Sequence, residues 1–169
     1  ADERDNTGLY ALAQFDNQVW QAELSGRSDD NEQFGRHNTW QTGAGWRFVE
    51  DYRLSARYGT GFRAPSFNDL YYPGSGNPDL KPEESKSHEL MLDGQTAGVE
   101  WRLTGYRNDF EQMIQWAPDS QGMWTPQNVG KARIEGVELE GEFETGWLSH
   151  RVSAEYKDPK DKATDKQLQ

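Results

Sequence analysis

Residues 37–60 read HNTWQTGAGWRFVEDYRLSARYGT. Trp40, Thr42, Ala44, Trp46 and Phe48 fall on one side of a two-residue repeat. Thr39, Gln41, Gly43, Gly45 and Arg47 fall on the other. A turn at Glu50 and Asp51 follows, and Tyr52, Leu54, Ala56 and Tyr58 then alternate with Arg53, Ser55 and Arg57. Alternation of this kind predicts two half-buried strands joined as a hairpin. One face is aromatic and aliphatic; the other is charged.

The pattern continues in both directions. Upstream, residues 7–15 and 19–27 form a pair of strands, with Trp20, Ala22 and Leu24 opposing Gln21, Glu23 and Ser25. Downstream, strands are expected at 87–95, 99–116, 131–146 and 148–156. In residues 131–146, Val137, Leu139, Gly141 and Phe143 oppose Glu138, Glu140, Glu142 and Glu144. The expectation is an all-β, antiparallel up-and-down meander of about eight strands. The turns near Asn17, Asp51, Ala97 and Gly146 are short. The connections at 28–36, 64–85 and 117–128 are expected to be long loops. Short turns at one end and long loops at the other are the habit of outer-membrane barrels.

Composition narrows the choice. Only 33% of the 169 residues are hydrophobic and the net charge is −11; the mean hydropathy is −1.06. Yet 12% are aromatic, with seven each of Trp, Tyr and Phe, which argues against disorder. The acidity disfavours nucleic acid as a partner. There is no Cys, hence no disulfide framework and no thiolate metal site. No apolar run reaches the ~18 residues of a membrane helix, but a membrane β-barrel gives only a weak signal per strand. No secretory leader is visible in ADERDNTG.

The charged face points the same way. In a closed eight-stranded barrel the interior is nearly filled by side chains. Arg47, Arg53, Arg57, Glu100, Arg102, Glu138, Glu140, Glu142, Arg151 and Glu155 would be packed there, and buried charge is costly unless paired. A wide, wet lumen removes that cost. The strands read as an arc of a larger barrel, apolar side to lipid and charged side to water.

Three stretches then carry a resemblance. YGTGFRAPSFNDLY (58–71), GNPDLKPEESKSHEL (76–90) and NVGKARIEGVELEGEF (128–143) resemble successive landmarks of TonB-dependent outer-membrane transporters. Within that family, GRSDDNEQFGRHNTWQTGAGW (26–46) and TAGVEWRLTGYRND (96–109) are similar to its cobalamin-importing members. The resemblance covers nearly the whole chain. It implies a segment of the later half of a roughly 22-stranded transmembrane β-barrel, residing in the bacterial outer membrane. It also implies a plug domain and energy from TonB acting through that plug. Plug and closing C-terminal strand are expected to lie outside residues 1–169, a single barrel segment. On its own, such a piece would be a smaller barrel or an open sheet. Cobalamin is the implied transported ligand, and no cofactor is expected in the segment itself. Outer-membrane lipid is the implied neighbour, and phages or bacteriocins are implied visitors to the loops. A siderophore or haem receptor is the alternative within the class. A soluble β-sandwich carbohydrate-binding module is the alternative outside it.

Candidate site residues follow. Phe67, Tyr71, Tyr72 and Trp124 lie in long loops and are expected as ligand contacts, since aromatic side chains supply flat apolar area with few rotors. Trp20, Trp46, Tyr52, Trp101 and Trp147 lie near short turns and are expected as a membrane-interface girdle. The run Asp29 to Gln33 lacks the spacing of a calcium loop. His37, His88 and His150 have no ligand spacing. The row Glu138, Glu140, Glu142, Glu144 lines one strand face, not a cleft between two carboxylates. No metal site and no catalytic residue is expected, and the chain is not read as an enzyme.

Overall fold

The computed structural model describes residues 4–162 and residue 167. The strands are β1 (Asn6–Asp16), β2 (Trp20–Asn31), β3 (Gly35–Val49), β4 (Tyr52–Arg63), β5 (Glu83–Thr96), β6 (Val99–Pro118), β7 (Trp124–Thr145) and β8 (Leu148–Asp161), with a helical turn α1 (Phe67–Tyr71) between β4 and β5. They form one eight-stranded sheet in sequence order, every neighbouring pair antiparallel. β1 and β8 are its outer strands, so the sheet is open.

The short turns are those that alternation predicts, and local chemistry makes them. Asp16 accepts the Gln18 amide at 2.9 Å and Asn17 accepts the Trp20 amide at 2.7 Å, while Gln18 takes φ of 71°. The two-residue turn between β5 and β6 has Ala97 at φ 53° and Gly98 at 80°, the positive pair that matches the twist of a hairpin.

The other end differs from expectation. Residues 28–36 are not a loop: β2 and β3 run almost to their tip and leave only 32–34 between them. The connection expected at 117–128 shrinks to 119–123, and the one expected at 64–85 spans 64–82 and contains α1. The reason is physical. β6 and β7, with 20 and 22 residues, far exceed the ~9–11 that cross a bilayer. Past that length strict alternation is not enforced, and Ile114 is buried instead against Leu70 and Leu80 of the 64–82 connection.

Burial is inverted relative to a soluble sheet. Leu24, Leu90 and Val152 are 57%, 55% and 57% exposed. On the same outward face an aromatic chain runs along the short-turn end. Trp20 stacks on Trp46 at 5.5 Å, Trp46 meets Phe48 at 5.7 Å, Phe48 meets Tyr52 at 6.2 Å, and Tyr52 meets Trp101 at 6.1 Å. Gly94, paired with both Tyr52 and Trp101, leaves room for the Trp101 ring where a Cβ would stand. Trp147 stands apart in the β7–β8 turn, fully in the open.

The opposite face is polar. Arg102 pairs with Asp93 at 2.6 Å and Arg151 with Glu142 at 3.0 Å. With Arg47 and Arg53 they border a hollow of about 660 Å³.

Candidate ligand-capture surface

The chain from Ala64 to Pro82 folds as a small body of its own at the long-connection end. Its centre is Leu70, Leu80 and Ile114, all buried, with Phe34 packed against them. Each fully buried Leu or Ile of this kind contributes about 1.5–3 kcal/mol. Ser66 starts α1. Its hydroxyl accepts the Asp69 amide at 3.2 Å, and the Asp69 carboxylate accepts the Ser66 amide at 3.0 Å. This reciprocal capping satisfies amides that a helix start leaves unpaired.

Asp69 is nearly buried, and Arg63 lies 3.5 Å from it. Burial alone would raise its pKa. The bonds from the Ser66 hydroxyl and amide, the Arg63 charge and the Trp116 side chain outweigh that and hold the carboxyl below the ordinary carboxylate range. Arg63 also reaches Glu83 at 3.0 Å, and Glu83 accepts the Ile114 amide at 2.6 Å.

Side-chain amides tie down the return of the loop. Asn77 donates to the Pro126 carbonyl at 3.0 Å. Asn128 accepts the Lys81 amide at 2.8 Å and donates to the Lys81 carbonyl at 2.9 Å. Gly76 is pressed against α1, where an added Cβ would stand 2.6 Å from both the Leu70 carbonyl oxygen and the Tyr72 nitrogen.

The four expected loop aromatics are brought to this end but divided. Phe67 and Tyr71 sit on α1 with rings 6.2 Å apart. Tyr71 accepts a bond from Gln33 at 3.0 Å. Tyr72 turns its edge to Trp116 at 5.8 Å and 90°. Trp124 is 61% exposed beside Met123 at 50%. Pro118 is opposite Trp124 and Pro126 is opposite Trp116. Two-residue alternation therefore places Trp116 and Trp124 on one face of the projecting β6–β7 hairpin.

Two contributors escape sequence reading. Trp116 falls at the end of a long alternating run, and nothing there marks it as different. Arg4 precedes the first strand, yet its guanidinium lies over Phe34 at 5.4 Å and Phe67 at 5.1 Å. The pattern Ser66-Phe67-Asn68-Asp69 was the available sign of α1.

Among the described residues, no group of three or more His, Asp or Glu side chains is placed to hold a metal ion. What the arrangement offers is an aromatic, solvent-exposed surface at one end of a sheet whose outward face is apolar.

That architecture is the one its relatives share. Residues 1–169 match the family model described as "TonB dependent receptor-like, beta-barrel". The chain belongs to this family of TonB-dependent receptors, and it is an arc of an outer-membrane β-barrel, not an enzyme.

Among individual proteins it is similar to the vitamin B12 transporter BtuB of Photobacterium profundum, 48% identical over 171 residues. It is 51% identical over 164 residues to the protein of the same name from Vibrio vulnificus. These matches take in 99% and 96% of this chain but only 28% and 27% of the two relatives, so the chain spans little more than a quarter of their length. Among solved structures, the siderophore receptor PirA from Pseudomonas aeruginosa superposes with a TM-score of 0.78 at 21% identity, over 91% of this chain and 32% of that one. The copper transporter OprC does so with 0.79 at 17%, over 96% and 30%. At these identities the likeness is one of fold.

Proposed function

We propose that this chain forms wall, lumen lining and outer loops of a receptor that imports vitamin B12 across the outer membrane. One observation carries the reading. About half of the residues are shared, over nearly the whole chain, with two proteins named as vitamin B12 transporters. The surface chemistry supports it. Cobalamin is a large corrinoid with flat apolar edges and a fringe of amides. Phe67, Tyr71, Tyr72 and Trp124 build an aromatic surface whose outermost rings meet the ligand.

In this reading the loop captures ligand and the charged face guides it. TonB, acting through a plug domain supplied by the rest of the protein, drives release to the periplasm. The outward Leu, Val and Trp side chains meet lipid, with Trp20, Trp46, Tyr52, Trp101 and Trp147 at one interface. The same exposed loops give phages and bacteriocins a place to land.

The test is uptake. The full-length receptor is expressed in cells lacking their own cobalamin transporter, with and without TonB, and accumulation of labelled cyanocobalamin is measured. TonB-dependent accumulation at nanomolar ligand is expected. Accumulation of a ferric siderophore or haemin in its place would overturn the assignment of ligand while leaving the receptor class intact.

A further inference from the structure

Arg4 makes three contacts that share one geometry. Its guanidinium lies over the Phe34 ring at 5.4 Å and over the Phe67 ring at 5.1 Å. Its Nη1 donates to the Pro65 carbonyl oxygen at 3.0 Å. The three partners belong to two different connections: Phe34 to the β2–β3 turn, Pro65 and Phe67 to the β4–β5 loop. Arg4 itself enters β1 under tight control. Asp5 donates its amide to Glu32 at 3.2 Å and accepts the Glu32 amide at 3.1 Å, so the approach to β1 is fastened to the same turn. A planar, always-charged group lying over two rings, with one donor spent on a carbonyl, is a use of Arg that Lys cannot copy.

Without Arg4, the contacts between the β2–β3 turn and α1 rest on the Gln33–Tyr71 hydrogen bond and on Phe34 lying against the Leu70 cluster. Phe67, 37% exposed, then keeps the Tyr71 ring as its aromatic neighbour among the described residues.

We propose that Arg4 is a positioning residue for the capture surface. It clasps the start of α1 to the β2–β3 turn and so fixes Phe67 as frame. Tyr72, Trp116 and Trp124 are left as the rings that face ligand. The inference rests on the capture role of this loop, but its central claim concerns loop order and can be read without any ligand. Each cation–π contact is of the order that shifts a local equilibrium several-fold. Preorganisation of a loop appears as affinity because less order is lost on binding.

The test uses the full-length receptor in nanodiscs, with Arg4→Gln, Arg4→Lys, Phe67→Leu and the double variant Arg4→Gln/Phe67→Leu. Hydrogen exchange is followed at residues 64–82, with the strands as internal reference. Arg4→Gln is expected to raise exchange in the loop about tenfold, with the strands and the thermal midpoint unchanged. Arg4→Lys should restore only part of the protection. The double variant should be no worse than Arg4→Gln alone, because the Arg4–Phe67 contact is already lost there. Unchanged loop exchange in Arg4→Gln, or additive effects in the double variant, would overturn the clasp.

Cyanocobalamin binding separates the two claims. If the wild-type receptor does not bind it while Arg4→Gln still loosens the loop, the ligand assignment fails and the clasp stands. If Phe67→Leu loses binding with loop exchange unchanged, Phe67 is a contact and the clasp is wrong.

Discussion

Asn128 treats the backbone of Lys81 as a neighbouring strand would. Its Oδ1 accepts the Lys81 amide at 2.8 Å and its Nδ2 donates to the Lys81 carbonyl at 2.9 Å. A second donation from Nδ2 reaches the Gln112 carbonyl at 2.6 Å, where β6 takes φ of 58°. One side chain thus joins the returning loop to the hairpin that supports it.

Asn128→Ala is expected to leave the Lys81 amide and two carbonyls without these partners. Each unmet backbone group costs about 1–3 kcal/mol where water cannot reach it, and less at this half-open site. The cost should be local. Limited proteolysis will show a new cleavage between residues 72 and 82, with barrel mobility on a cold gel unchanged. Asn128→Asp should lose the two donations and keep the acceptance.

Acid should loosen α1 before it loosens the barrel. The folded pKa of Asp69 lies below its unfolded value, close to 3.8. The contribution of its capping bonds is therefore whole above that value and vanishes as pH falls through the lower folded pKa. A spin label at Asp79 will report rising mobility as pH drops below about 4. Asp69→Asn should move little over that range and start out looser, by about 1 kcal/mol for a lost cap. A label whose mobility is flat down to pH 3 in the unsubstituted receptor would contradict this account.

Gly76→Ala tests close approach. The new Cβ would meet backbone atoms at 2.6 Å, not the movable end of a side chain. Relief requires α1 and the 72–76 turn to separate, at a cost of about 1–3 kcal/mol. Ligand affinity is expected to drop severalfold, with the fold of the sheet intact. The comparison is Gly74→Ala, which meets no atom and carries only the penalty of φ +78°.

The two faces of the sheet should respond to charge in opposite ways. Leu139→Arg places a guanidinium on the outward face, where depth in the bilayer sets a cost of about 2–4 kcal/mol. Glu140→Ala, one residue on, removes a charge from a wet face and should cost little. Urea titration of folding into lipid vesicles measures both. Equal effects would mean that the outward face is covered by protein.

How much of this was legible in the sequence depended on where water lies. Between the short turns and the middle of the sheet, the strands have one apolar outward face and one polar face. There Trp46 with Arg47, or Leu139 with Glu140, announces both the strand and its sidedness. Past that level the ladder continues through Ser28, Asp29 and Asp30 with both faces wet. The same polar residues that build a rising strand then read as a loop. Five-residue α1 is too short to show a helical period, and only the Ser66–Asp69 pair betrays it. The aromatics Phe67, Tyr71, Tyr72 and Trp124 were legible as a group because composition marks them. Their division into clasped and open rings depends on Arg4 and Trp116, whose roles come from contacts 63 and 44 positions away in the chain.

Inverted burial also bears on how such a chain reaches its destination. Apolar runs stay short, the longest being the five residues 9–13, so no stretch of unpaired polypeptide accumulates the ~18 consecutive apolar residues that would lodge it as a helix in a bilayer. While extended, the chain is an ordinary hydrophilic thread, with a mean hydropathy of −1.06. Its greasiness is not a property of any segment. It comes into being when neighbouring strands pair and line up Trp20 with Trp46 and Leu92 with Leu103 and Leu139, which confines membrane insertion to the place where the sheet assembles.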